Sequence, residues 1–158
     1  MKVYYIFKIK DEFVKLYSDT PSVLYNILKT VFYLDKEEVE YGYNLFTQLI
    51  VPFKKDEVDK KLFIKLHQDI PYSKRKNTHY INNFYLNEVS RLNVNNYYLK
   101  LEVEQNFSSF FKILNREDKN LFVCSFKIYK CSQSSSPKAN ALTLFTCSKL
   151  QFKNVIEE

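Results

Sequence analysis

The chain has 158 residues and a mass of 19.0 kDa, the size of one ordinary domain. Apolar residues at 46% and charged residues at 27% place it among globular proteins and exclude wholesale disorder. The +6 net charge rests on lysine, because all but three of the 24 basic residues (Arg75, Arg91 and Arg116) are lysines.

Residues 3–9 (VYYIFKI) are β-branched and aromatic and predict a strand. A short helix is expected from Asp11 to about Tyr17, with Phe13 and Tyr17 at i, i+4 on one face and Val14 and Leu16 pinning it to the core. Thr20 reads as an N-cap with Pro21 at the first helical position, opening a helix whose apolar stripe is Val23, Leu24, Ile27, Leu28 and Val31. Asp35 and Glu38 have capping-box spacing for the next helix, with Val39, Tyr43, Phe46 and Ile50 inward and Pro52 as its stop. A further helix over 56–68 would turn Val58, Leu62, Phe63 and Leu66 to one side. Residues 69–77 are polar, contain Pro71, and predict a loop. Alternation then marks strands at 79–86 and 96–103, joined by the Asn/Arg-rich residues 87–95 and expected to pair antiparallel. Phe107, Phe110, Phe111 and Leu114 give a helical stripe, and residues 121–129 a last apolar strand with Phe122, Cys124, Phe126 and Ile128 on one side. The expected fold class is therefore α/β (α+β): one domain over 1–130, a mixed or antiparallel sheet of about four strands, and about five helices. From Cys131 the character changes to a Ser-rich opening and a tail over 131–158 with weak strand signals at 142–146 and 150–155.

Most chemistries lack their residues. A single glycine, Gly42, leaves nothing to build a phosphate-cradling loop. Cys124, Cys131 and Cys147 form no C-x-x-C pair and read as free thiols, and His67 and His79 have no neighbouring cysteine for a zinc site. No G-x-S-x-G or H-E-x-x-H pattern occurs, so neither an enzyme nor a cofactor is expected. No apolar run reaches the roughly 20 residues of a membrane helix, and Met1-Lys2 leads straight into a strand, so a cytoplasmic protein is expected. The acids Asp35, Glu37, Glu38 and Glu40 suit the first turn of a helix better than a cation site. The Lys54–Lys76 region has eight basic residues against four acids and is the one candidate for nucleic-acid binding. A solvated mixed-charge helix is the plainer reading, and Lys, Asn, Tyr and Phe also share A/T-rich codons.

The run Tyr4-Tyr5-Ile6-Phe7-Lys8-Ile9-Lys10-Asp11-Glu12-Phe13, then Tyr17, then Ser22-Val23-Leu24, resembles the opening of the SirA family, sporulation inhibitors of replication in spore-forming Firmicutes. Phe110-Phe111-Lys112-Ile113-Leu114 and the strand from Leu121 to Lys130 resemble its later part. The chain departs from the family's Tyr-Gly-Trp-Leu-type ending at Cys131-Ser132 and has no tryptophan. The resemblance implies a small cytoplasmic binding protein, without enzymatic activity or cofactor, that inhibits initiation by binding the N-terminal domain of the initiator DnaA. It implies no direct need for nucleic acid, membrane or a small-molecule substrate. It also implies that Phe13 and Tyr17 face DnaA, with Leu45 and Gln48 of the third helix contributing.

Overall fold

The computed structural model describes residues 1–34, 38–69, 71–104 and 108–126. The first strand, β1 (Lys2–Lys8), is followed by four helices: α1 (Asp11–Leu16), α2 (Pro21–Phe32), α3 (Val39–Leu49) and α4 (Lys55–Leu66). Four strands come next, β2 (Tyr72–Arg75), β3 (Thr78–Asn83), β4 (Glu88–Val94) and β5 (Leu99–Val103), then α5 (Ser109–Glu117) and β6 (Leu121–Cys124). They form one sheet in the order β2-β3-β4-β5-β1-β6, with every neighbouring pair antiparallel. The class is α+β, with five helices among the described residues.

Alternation along β1 sorts the helices into two layers. Tyr4 and Ile6 point to one face, where Leu92, Leu99, Leu101, Val103 and Val123 meet Leu62 and Leu66 of α4 and Phe110 and Leu114 of α5. Tyr5, Phe7 and Ile9 point to the other, against Leu24, Tyr25 and Leu28 of α2, Leu49 of α3, and Phe122, Cys124 and Phe126. Both faces of β1 are thus buried, which is why its sequence is a continuous apolar run rather than an alternating one.

Among the described residues the sheet has six strands, where about four were expected. The segment read as a loop holds β2, whose Lys74 and Arg75 disguise it; charges of this kind belong on an edge strand, where they discourage pairing with another chain. The stretch read as a connection is β4, which turns Glu88, Ser90, Leu92 and Val94 inward. Two inward polar residues broke its apolar alternation. The strands expected to pair, β3 and β5, therefore share the sheet but flank β4 instead of each other. Lys76 (φ 54°) and Asn87 (φ 49°) take left-handed turn conformations where β2 meets β3 and β3 meets β4.

Helix faces also shift. In α3 the inner residues are Gly42, Leu45, Phe46 and Leu49, while Val39 and Tyr43 are exposed. Gly42 admits the close approach of Leu34, whose Cδ1 lies 2.2 Å from where a Cβ would stand. Val23 and Phe63 are exposed, and Tyr25 is buried instead. Thr20 and Glu38 occupy the N-cap positions of α2 and α3 without side-chain capping bonds. The expected roles of Asp35, Glu37, Phe107, Ile128 and the 131–158 tail lie outside the described residues.

Candidate functional site

The six residues of α1 are too few for a helix to persist alone, so its neighbours must hold it. Asp11 and Glu12 in its first turn and Lys15 in its last complement the helix dipole. Backbone bonds fix both sides of its start. The Ile9 amide donates to Asn120 O (2.9 Å), the Lys10 amide to Leu49 O (3.1 Å), and the Val51 amide to Lys8 O (2.8 Å). The Asn120 side-chain amide also donates to the Asp11 carboxylate. The end of α3 is thereby joined to the start of α1.

On this platform Phe13 and Tyr17 stack with ring centroids 6.3 Å apart and planes 12° from parallel. Both are half-buried: their inner edges pack on the core beneath α1–α3, and their outer parts face solvent. Val14 packs on the same core, as expected. Leu16 does not pin the helix; it is 64% exposed and adds to the apolar surface. Leu45 is half-buried and Gln48 exposed on α3, in the turns leading to Leu49, which bonds α1. Sequence reading missed Tyr41. It is largely exposed, and its spacing to Leu45 and Gln48 (i, i+4, i+7) was the signal that it shares their face.

The Lys54–Lys76 region is compensated in part, with four of its eight basic residues in ion pairs. Lys54 pairs with Glu57, Lys61 and Lys65 with Glu117, and Lys74 with Asp59. Sequence reading also missed a buried polar cluster under α4. His79 is completely buried, with Nε2 2.8 Å from Asp59 Oδ1 and Nδ1 2.8 Å from the Tyr72 hydroxyl. Burial pushes the His79 imidazole below its ordinary range, and the bond to Asp59 offsets this only in part. Burial pushes the Tyr72 phenol up to about 12, and the Asp59 charge adds to the rise. For Asp59, burial acts upward, but hydrogen bonds and charge from Lys74 and His79 outweigh it and hold the carboxyl below its usual range. The cluster ties α4 to the β2–β3 hairpin, and its imidazole has no solvent-facing surface on which to meet a substrate.

Among the described residues no group of three His, Cys, Asp or Glu could hold a metal, and no helix is long and apolar enough to cross a membrane. Fold and site together define a small antiparallel α+β protein that displays a stacked aromatic pair on a short, externally braced helix. Residues 2–130 match the family described as sporulation inhibitor of replication protein SirA, and the chain belongs to that family. Comparison with curated proteins gives no match.

Proposed function

We propose that this chain is a cytoplasmic protein–protein inhibitor of replication initiation, acting without catalysis or cofactor, and that it binds the N-terminal domain of DnaA. The stacked Phe13–Tyr17 pair carries the reading. Aromatic residues dominate interface hot spots, and a pair already ordered on a braced helix loses little conformational entropy on binding. Leu16, Leu45, Gln48 and Tyr41 extend the surface, Tyr41 through its shared face on α3. The family's role as inhibitors of replication in sporulation supports the choice of partner class. Titration of the labelled N-terminal domain of the host's DnaA with this protein tests it. Saturable binding that depends little on salt supports a protein interface, whereas no binding removes the reading. Binding through phosphates, the alternative placed at Lys54–Lys76, would instead weaken log-linearly with salt; Lys54, Lys61, Lys65 and Lys74 there are already engaged in ion pairs.

A further inference from the structure

Two features remain outside that surface, one on the open face of β2–β5 and one at the tip of the β3–β4 hairpin. The helices α1–α3 cover only part of their face of the sheet. Register places Thr78, Asn93 and Lys100 in one cross-strand row, and Tyr80, Arg91 and Glu102 in the next. These six residues line an open cleft of about 170 Å³ on the uncovered half. Glu102 is held by both cations, accepting from Arg91 and, at 2.8 Å, from Lys100. It balances one of the two, and exposed Arg75 on β2, paired with Thr78, adds another positive charge to the first row. Two of the chain's three arginines thus fall on one open face of a protein that otherwise uses lysine. Arginine is the side chain suited to forked contacts with phosphate.

The second feature is the hairpin tip. Phe84, Tyr85 and Leu86 are 84%, 101% and 68% exposed. Their turn is ordered: Asn83 Oδ1 accepts from the amides of Tyr85 (3.1 Å) and Leu86 (3.2 Å). Phe84 lies four residues beyond Tyr80, about 13 Å along an extended strand. Exposed aromatic side chains, beside a face whose three cations (Arg75, Arg91 and Lys100) outnumber its acids Glu102 and Glu104 by one, match what an unpaired nucleic-acid strand needs: phosphate neutralisation and flat surfaces for bases to stack on.

We propose that the open face of β2–β5 and the adjoining β3–β4 tip form a binding surface for single-stranded nucleic acid. Arg75, Arg91 and Lys100 take the phosphates, and Tyr80, Phe84 and Tyr85 take the bases. Asn93 and Thr78 offer hydrogen-bonding groups between them. The surface is separate from α1: the tip lies at the end of the sheet where β1 begins, and α1 follows where β1 finishes.

Fluorescence anisotropy of a labelled oligothymidylate of about 12 nucleotides, within the range single-strand binders cover, tests this. Binding should weaken between about 50 and 200 mM salt with a log–log slope near −2, for about three phosphates neutralised on a single strand. Phe84→Ser with Tyr85→Ser changes only exposed side chains and should weaken binding about tenfold, with an unchanged melting temperature. Arg75→Gln should make the slope shallower by about 0.7. Lys60→Gln with Lys61→Gln on α4 should change nothing. The proposal is overturned if the oligonucleotide fails to bind at the low-salt end, if the α4 variant loses as much as the tip variant, or if a duplex of the same length binds as well.

Discussion

Glu88 offers a demanding test of the fold because it is a carboxylate almost completely buried at the start of β4. Its Oε1 accepts from Ser90 Oγ (3.0 Å), Ser108 Oγ (3.1 Å) and the Ser109 amide (2.7 Å), and its Oε2 from Ser109 Oγ (2.6 Å). Ser108 is the N-cap of α5 and accepts from the Phe110 amide at 3.3 Å. Glu88 is thus a negative charge at the positive end of that helix, tying β4 to α5. Glu88→Ala would leave the Ser109 amide and the Ser90, Ser108 and Ser109 hydroxyls without their acceptor in an enclosed space. A bond to a charged group contributes about 1.5–3 kcal/mol, and stranded donors cost about 1–3 kcal/mol each, so a net loss of about 3–5 kcal/mol is expected after partial relaxation. Glu88→Gln keeps one acceptor oxygen, and its amide can donate to a rotated hydroxyl, so it should lose about 1–2 kcal/mol. Urea unfolding followed by circular dichroism measures both variants. A loss below about 1 kcal/mol for Glu88→Ala would refute the claim that Glu88 secures α5.

Other outcomes follow from the same packing. His79 is held below its ordinary protonation range when folded, so the unfolded chain takes up the proton first; stability should fall as pH drops below about 6.5, and His79→Gln should flatten that slope between pH 7 and pH 5. Asp59 is shifted in the same direction but at lower pH: its contribution is present above the ordinary carboxylate range and fades below about pH 4, so Asp59→Asn should lose stability at pH 7 and little at pH 3. Phe110→Ala removes a fully buried ring and should cost about 3–5 kcal/mol by denaturant titration. Gly42→Val has to displace Leu34 and should destabilise by about 1–3 kcal/mol, seen as a lower melting temperature.

The readable parts of the sequence were those where one rule governed each residue. In β1, α5 and β6, apolar positions and burial coincide, and α1 was placed by its i, i+4 aromatics. The middle of the sheet was harder because its polar residues do structural work. Inward Glu88 and Ser90 concealed β4, and the charged edge concealed β2. The exposed Phe84-Tyr85-Leu86 made β3 look longer than it is. His79 has no sequence signature, because its partners Tyr72 and Asp59 are 7 and 20 residues away and meet it only when α4 lies on the hairpin. Within the site, i, i+4 spacing joins Phe13 and Tyr17, whereas the apolar pattern of α3 points to Tyr43 as an inner residue and not to Tyr41. The structure turns Tyr43 outward, where its hydroxyl is 3.1 Å from that of Tyr97.

The central claim is that the stacked pair on α1 is a recognition surface rather than only a lid on the core. The direct measurement is made on Phe13→Ala and Tyr17→Ala: affinity for the isolated N-terminal domain of the host's DnaA, alongside unfolding free energy for each variant. Because both rings are half-buried, each truncation should cost about 1–2 kcal/mol of stability, less than the 3–5 kcal/mol of an enclosed aromatic. Each should weaken binding by about 2 kcal/mol or more, some thirtyfold, while the protein remains folded. A large loss of stability with affinity intact would contradict the account and return Phe13 and Tyr17 to the core.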